Sequence, residues 1–438
     1  MVLDITYVGT LGRRLLGKID YAQYLDIRDP QSKTDLWSAY RQIVKQAGIT
    51  PQGAGPLIDP TNFAQLATIQ NIPFFNNLLP NMPAFAAAFN CSPSDVACNT
   101  STKALTPTQA FYSYVMQDLG GSASWGCALF PMDTFVSPGG LPSPWSSKVD
   151  PQGDGLVLFQ QQFQTLPGWS NEANSNYHSL QVSVRKTVGV ATFGANYVFS
   201  KSIDNSSSGE NADIAAGGGT LSGIIQNPFN LRDGRGLSDF DLKHNFNGYW
   251  VVDLPFGRGR KWAGSANRLV DAAIGGWEFT GAARWHSGFP FGPSNGFNFP
   301  TNFFLTSSGT WSGSVQTSLV RSGAFGVPNI FKDANAAFNN IGFTLPGLAG
   351  SRNIMRGPAY ASADMGVYKT FKMPWSEKQR LQFRVTAYNV FNSVNFADSS
   401  LSVDPTSPGT FGNLTSTAGA TTGSLGARDM EFAVRFEF

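Results

Sequence analysis

From about residue 177 onward, short segments of the chain alternate between apolar and polar positions. Ala191, Phe193, Ala195, Tyr197 and Phe199 make one face of such a segment. Thr192, Asn196 and Ser200 make the other, with Gly194 and Val198. Successive side chains of a strand point to opposite sides, so this spacing predicts a strand with one greasy face. The pattern recurs. Phe246, Trp250, Val252 and Leu254 oppose Asn245, Asn247, Tyr249 and Asp253; Trp277, Phe279, Ala283 and Trp285 oppose Glu278, Thr280, Arg284 and His286. Leu381, Phe383, Val385, Ala387 and Phe391 oppose Arg380, Gln382, Arg384, Thr386 and Asn392. The last segment sets Met430, Phe432, Val434, Phe436 and Phe438 against Glu431, Ala433, Arg435 and Glu437.

Two environments produce this pattern. A soluble sandwich buries the apolar face and wets the polar one. A transmembrane β-barrel turns the apolar face to lipid and lines its lumen with the polar one. The segments run about 9–11 residues, enough for a tilted strand to cross hydrocarbon. Aromatic residues sit near segment ends (Tyr249, Trp250, Trp277, Trp285, Phe371, Phe391), where an interfacial girdle places them. Links alternate in length. Thr187–Gly189 and 372–379 are short, whereas 205–240, 289–360 and 396–427 are long and rich in Gly, Ser, Asn and Pro. Outer-membrane barrels have short periplasmic turns and long extracellular loops. The expected fold is therefore all-β, an antiparallel transmembrane barrel segment. The link at 256–276 is intermediate and has a helix-compatible stretch from Arg268 to Ile274.

The expected strands are 2–9, 13–20, 176–186, 191–203, 243–255, 276–288, 361–371, 379–395 and 428–438. This divides the chain into a first hairpin over 1–20, an extracellular insertion over 21–175 and C-terminal barrel strands over 176–438. The insertion has helix-compatible stretches at Asp35–Ala47 and Thr61–Gln70, and reads as a folded cap. Nine antiparallel strands leave the first and last pointing the same way, whereas single-chain bacterial barrels normally have an even number. Either a strand is missed or the chain is the C-terminal part of a larger barrel.

Composition agrees. Charged residues are 14% of the 438, below the roughly 25% of a typical soluble protein. With 47 Gly and 26 Pro, turns and loops take much of the length. A net charge of +2 gives no bulk attraction to nucleic acid. No long apolar window predicts a transmembrane helix. Met1–Thr6 has neither the basic start nor the apolar core of a signal peptide, which favours the larger-barrel reading.

Several stretches together resemble the C-terminal barrel of the Oar-like TonB-dependent receptors of the outer membrane, of the acidobacterial type. They are Asn174–Lys186, Tyr197–Asp204, residues 226–230, Leu237–Asp241 with Lys243 and His244, Leu254–Arg260 and Gly275–Trp277. Arg352–Asn353 with Arg356–Pro358 and Tyr388–Asn392 complete the set. Tyr7–Thr10 with Leu15 looks like the family's earlier hairpin. The resemblance covers 1–20 and about 174–438. It implies a 22-strand barrel, an internal plug and a TonB-contacting segment, which together take up a scarce nutrient with energy from the inner membrane. Plug, TonB box and early strands have no counterpart here, so the TonB system is a partner only if a plug is supplied elsewhere. The resemblance also implies that Phe438, closing the last alternating segment, is read by the barrel-assembly machinery.

Candidate chemistry is sparse. No enzyme is expected: three His and many Ser allow a triad on paper, but no supporting catalytic constellation accompanies them. No cofactor is expected, because neither Gly217–Gly219 nor Gly257–Arg260 is a phosphate-cradling fingerprint. No metal is expected either. Asp239, Asp241 and His244 could be read as a cluster, but a polar rim explains them better. Cys91 and Cys98 could close a small ring, leaving Cys127 over, or stay as thiols; zinc lacks CxxC spacing. Glu278, Arg284, His286 and Arg384 are the lumen-facing ligand candidates, with ordinary lumen-wall pairing as the plainer reading. Phe74, Phe75, Phe85, Trp125 and Trp145 could stack on a ligand, with packing of the insertion on itself as the default. The expected function is binding and uptake of a nutrient ligand at the bacterial outer membrane, in contact with its lipid. The rivals are a surface adhesin on a barrel scaffold and a secreted glycan-binding β-sandwich.

Overall fold

A computed structural model describes residues 1–21, 27–50, 58–118, 167–207, 224–225, 227–293, 308–313, 317–323, 326–373, 375–397, 401, 403, 407–417 and 426–438. Trp125, Cys127, Trp145 and Gly217–Gly219 lie outside this set.

Eight long strands form one antiparallel sheet in chain order, and a two-residue strand, Gly236–Leu237, adds to it beside the third. They are β1 (Val2–Asp20), β2 (Pro167–Val188), β3 (Ala191–Asp204), β4 (His244–Asp253), β5 (Trp277–His286), β6 (Tyr360–Met373), β7 (Ser376–Tyr388) and β8 (Asp429–Glu437). No helix among the described residues is long and apolar enough to cross a membrane.

The register carries the alternation across the whole sheet. Ile5, Val182, Tyr197, Phe246, Trp285 and Ala361 stand in one row from β1 to β6. Ala191, Val252, Phe279, Val367, Val385 and Phe432 make a second row from β3 to β8. The rows between are polar: Asp4, Ser183, Asn196, Asn247, Arg284 and Ser362 line up on the opposite face. A one-residue slip at any pairing would exchange the two faces, so the faces fix the register. Phe432 is 72% exposed and Val434 64%, and no described residue covers them. Small residues interleave with the rings on the apolar face. A Cβ on Gly281 would run into the Trp250 ring, so the glycine leaves that indole room to lie across β5.

The expected hairpin over 1–20 is corrected to one 19-residue strand, β1. It pairs along its length with β2, whose first residues, Pro167–Ser175, belong to the sheet and not to the insertion. One extra residue of β1 near Arg14, which has φ +53°, is taken up as a bulge between Gly12 and Leu15, and one of β2 as a bulge between Ser170 and Ala173. A bulge absorbs an added residue without reversing the chain. Eight long strands therefore replace the expected nine. β1 and β8 run in opposite directions, which removes the parity obstacle to closure. Among the described residues, each still has one unpaired edge.

Short links gather at one end of the sheet. Val188 and Ala191 bracket a two-residue turn with Gly189 at φ +55°. The 254–276 link contains the helix Arg268–Ile274, capped by Asn267, which accepts from the Val270 N–H at 2.9 Å. Long links gather at the other end, and described parts of them are folded. Ile330, Phe331, Ile341, Met355, Phe411 and Leu414 form a small core between the 289–360 and 396–417 segments.

Among the described residues of 36–118 there are six helices: α1 (Leu36–Gln46), α2 (Phe63–Leu66), α3 (Pro73–Leu78), α4 (Met82–Asn90), α5 (Val96–Lys103) and α6 (Pro107–Asp118). Asp35 starts α1 by accepting from the Ser38 N–H at 2.8 Å, and Asn62 caps α2 in the same way. Phe74, Phe75 and Phe85 are buried with Tyr40, Phe111 and Tyr114, so these rings pack on one another and offer no exposed stacking platform. A disulfide joins Cys91 to Cys98 across the α4–α5 junction. Arg41 of α1 donates to the Pro346 carbonyl at 2.6 Å, which ties the helical unit to the 289–360 link.

Candidate functional site

The four lumen candidates share the polar face but fall into two groups. Glu278 stands in register between Asp253 and Tyr368, and Arg384 lies next across β7. The Arg384 guanidinium rests 5.3 Å from the Tyr368 ring centre and donates from Nε to Gln382 Oε1 at 2.5 Å. Arg284 and His286 lie toward the long-link end. Arg284 faces Asn247 and Ser362, while His286 is stacked on Tyr360 at 5.1 Å with 6° between the rings. Six residues of strand separate Glu278 from Arg284, about 20 Å at ordinary strand rise. The structure thus brings Glu278 and Arg384 to one level and Arg284 and His286 to another.

The most highly connected polar cluster is one the sequence revealed only by half. At the long-link end Arg352 reaches the buried Asp204 carboxylate at 2.8 Å and Asp239 at 3.3 Å, and donates to Ser207 Oγ. Asn353 Nδ2 donates to Asp239 at 2.6 Å and to the Leu237 carbonyl at 2.7 Å. Arg356 pairs with the buried Asp241, which also accepts from the Ser202 N–H, and donates to the Gly288 carbonyl at 3.2 Å. These contacts fasten the 205–243 and 289–359 links to the rim of β3. Asp239 and Asp241 were legible as a cluster. Their arginine partners lie more than a hundred residues away, and no local spacing connects them.

His244 does not join Asp239 and Asp241. Its Nδ1 meets the Tyr197 hydroxyl at 2.7 Å on the apolar face, with Phe199 and Trp285 around the ring. Tyr7 and His178 repeat the arrangement, also at 2.7 Å. An outward belt of amphipathic rings thus follows the long-link end. At the short-link end Lys369 lies between Trp277 and Phe371, with its ammonium on the Gly275 and Ala273 carbonyls that end the Arg268–Ile274 helix. Amphipathic rings at both borders of an apolar band are the mark of a membrane interface. Phe438 is 94% exposed and stacks on Phe436.

A continuous antiparallel sheet with one apolar and one polar face, ringed borders, short turns at one end and folded loops at the other defines an outer-membrane β-barrel protein. The family model for the outer membrane beta barrel domain matches residues 137–431. The chain belongs to that family, and its place is the bacterial outer membrane. No curated protein and no solved structure matches it.

Proposed function

We propose that the chain is the barrel part of a TonB-dependent receptor that binds and takes up a nutrient ligand without catalysing a reaction. The observation that carries this reading is the cap. The links over 205–243 and 289–359 are fastened to the rim by Arg352, Asn353 and Arg356. A fixed cap over a wet face suits selective entry. In this reading Glu278, Arg284, His286 and Arg384 contact the ligand on its way. The unpaired edges of β1 and β8 pair with further strands of the receptor, a plug and TonB box come from outside 1–438, and Phe438 engages the assembly machinery. The strand edges argue for completion, because unpaired backbone in hydrocarbon costs several kcal/mol per group.

The test is accumulation of a radiolabelled nutrient panel by cells that produce the chain together with a plug-bearing segment. The reading predicts uptake that stops when a protonophore collapses the inner-membrane gradient. Cell attachment to a surface with no such uptake would favour an adhesin instead.

A further inference from the structure

A cavity of about 1180 Å³ lies at the rim where the long links begin. Cations come to it from several elements: Arg13 from β1, Lys201 from β3, and Arg232, Arg235 and Lys243 from the β3–β4 link. Among the described residues, no Asp or Glu lines it. Nearby carboxylates are already engaged. Asp204 and Asp239 hold Arg352, Asp241 holds Arg356, and Asp233 accepts from Asn227 and from the Ala349 N–H. Lys201, Arg232, Arg235 and Lys243 make no ion pair among the described residues. Arg13 is held by the Asn176 side chain at 2.7 Å and the Ser175 carbonyl at 3.2 Å, both neutral acceptors. Like charges crowded at one mouth repel one another unless an anion sits among them.

We propose that this cavity is a binding site for a ligand bearing two or more phosphate groups. Cations converging from separate elements match several anionic centres better than one. Arg232 and Arg235 present planar forks suited to phosphate oxygens, and Lys201 and Lys243 add point charges. The apolar part of the lining, with Phe199 and Ile203 on the outward face, continues the lipid-facing band. The same phosphates therefore arrive either on the headgroup of a phosphorylated glycolipid in the outer leaflet or on a soluble polyphosphorylated molecule. The site stands whether or not the sheet transports anything, since it depends only on side chains at the rim.

The experiment uses the full chain in phosphatidylcholine nanodiscs, with heat-modifiable gel mobility as the check of folding. One arm titrates sodium tripolyphosphate by calorimetry, with maltotriose as the neutral control. The other measures retention of diphosphorylated lipid A against phosphatidylcholine by native mass spectrometry. Binding in the first arm assigns a soluble source, and retention in the second alone assigns the leaflet. The Arg232→Gln/Arg235→Gln variant is expected to weaken whichever binding is seen by about tenfold or more, at about fivefold per charge removed. Lys261→Gln, at the opposite end, is expected to leave it unchanged. Should the double variant fail to fold, the wild-type chain alone decides: affinity must fall steeply as NaCl rises from about 0.05 to about 0.5 M. No binding in either arm, unaltered binding by the folded double variant, or binding insensitive to salt would overturn the proposal.

Discussion

Arg352 shows how much one side chain carries at the rim. Its guanidinium and the Asp204 carboxylate are both buried, and the pair joins strand β3 to a segment 148 residues later. Arg352→Gln leaves Asp204 as an uncompensated buried charge, a change that costs about 3–5 kcal/mol at buried pairs. The expected outcome is faster proteolysis within 289–359 with little change in the strands, followed by limited digestion and mass spectrometry. Asp29 makes a separate prediction for the helical unit. Burial pushes its carboxyl up, but hydrogen bonds from Ser32, Asn77 and Gln31 outweigh that and bring it down to about 2. A depressed folded value means that the stabilisation is present above the unfolded value of about 4 and is lost as pH falls toward 2. Near-ultraviolet circular dichroism of the helical unit should therefore fade across that window, and Asp29→Asn should flatten the dependence. Asp29 did not stand out in the sequence. Arg352–Asn353 was visible as a stretch resembling a family, but its partners are fixed by tertiary folding alone.

Among the elements, the later strands were legible because both faces are written into them. Leu381, Phe383 and Val385 alternate with Gln382 and Arg384, and β7 contains them in that register. Helix α1 falls within the helix-compatible stretch Asp35–Ala47, and the structure shows Asp35 capping it. The start of β2 was not. Pro167–Ser175 carries Gly168, Ser170, Asn171, Asn174 and Ser175, a loop-like composition, and pairing with β1 holds it extended. The break expected within β1 failed for a related reason. Gly12 and Gly17 look like turn residues, yet the facing strand offers a full ladder, so the chain bulges and does not turn. Two predictions belong here. Gly281→Ala would drive a methyl group into the Trp250 ring and should lower the fraction of chain refolded, read by heat-modifiable mobility. Replacing Cys91 and Cys98 by serine frees a ring closed over a separation of 7 residues. That should cost the helical unit about 2.5 kcal/mol by loop-closure entropy, measured by denaturant titration.

At the scale of the whole molecule, one requirement organises everything else: alternate side chains must meet different solvents on the two sides of one sheet. Two apolar rows each run unbroken across six strands, and a polar row between them, from Asp4 to Ser362, does the same. Folded links sit at one end, tight turns at the other, and amphipathic rings border the band between. The most direct test places nitroxide labels at consecutive positions 382, 383, 384 and 385 of β7 in the full chain reconstituted in lipid. Collision with oxygen, which concentrates in hydrocarbon, and with a polar nickel chelate, which stays in water, reports each site's surroundings. The account predicts oxygen contact at 383 and 385 and chelate contact at 382 and 384. Equal accessibility at all four sites, or protection of 383 and 385 from both reagents, would contradict it.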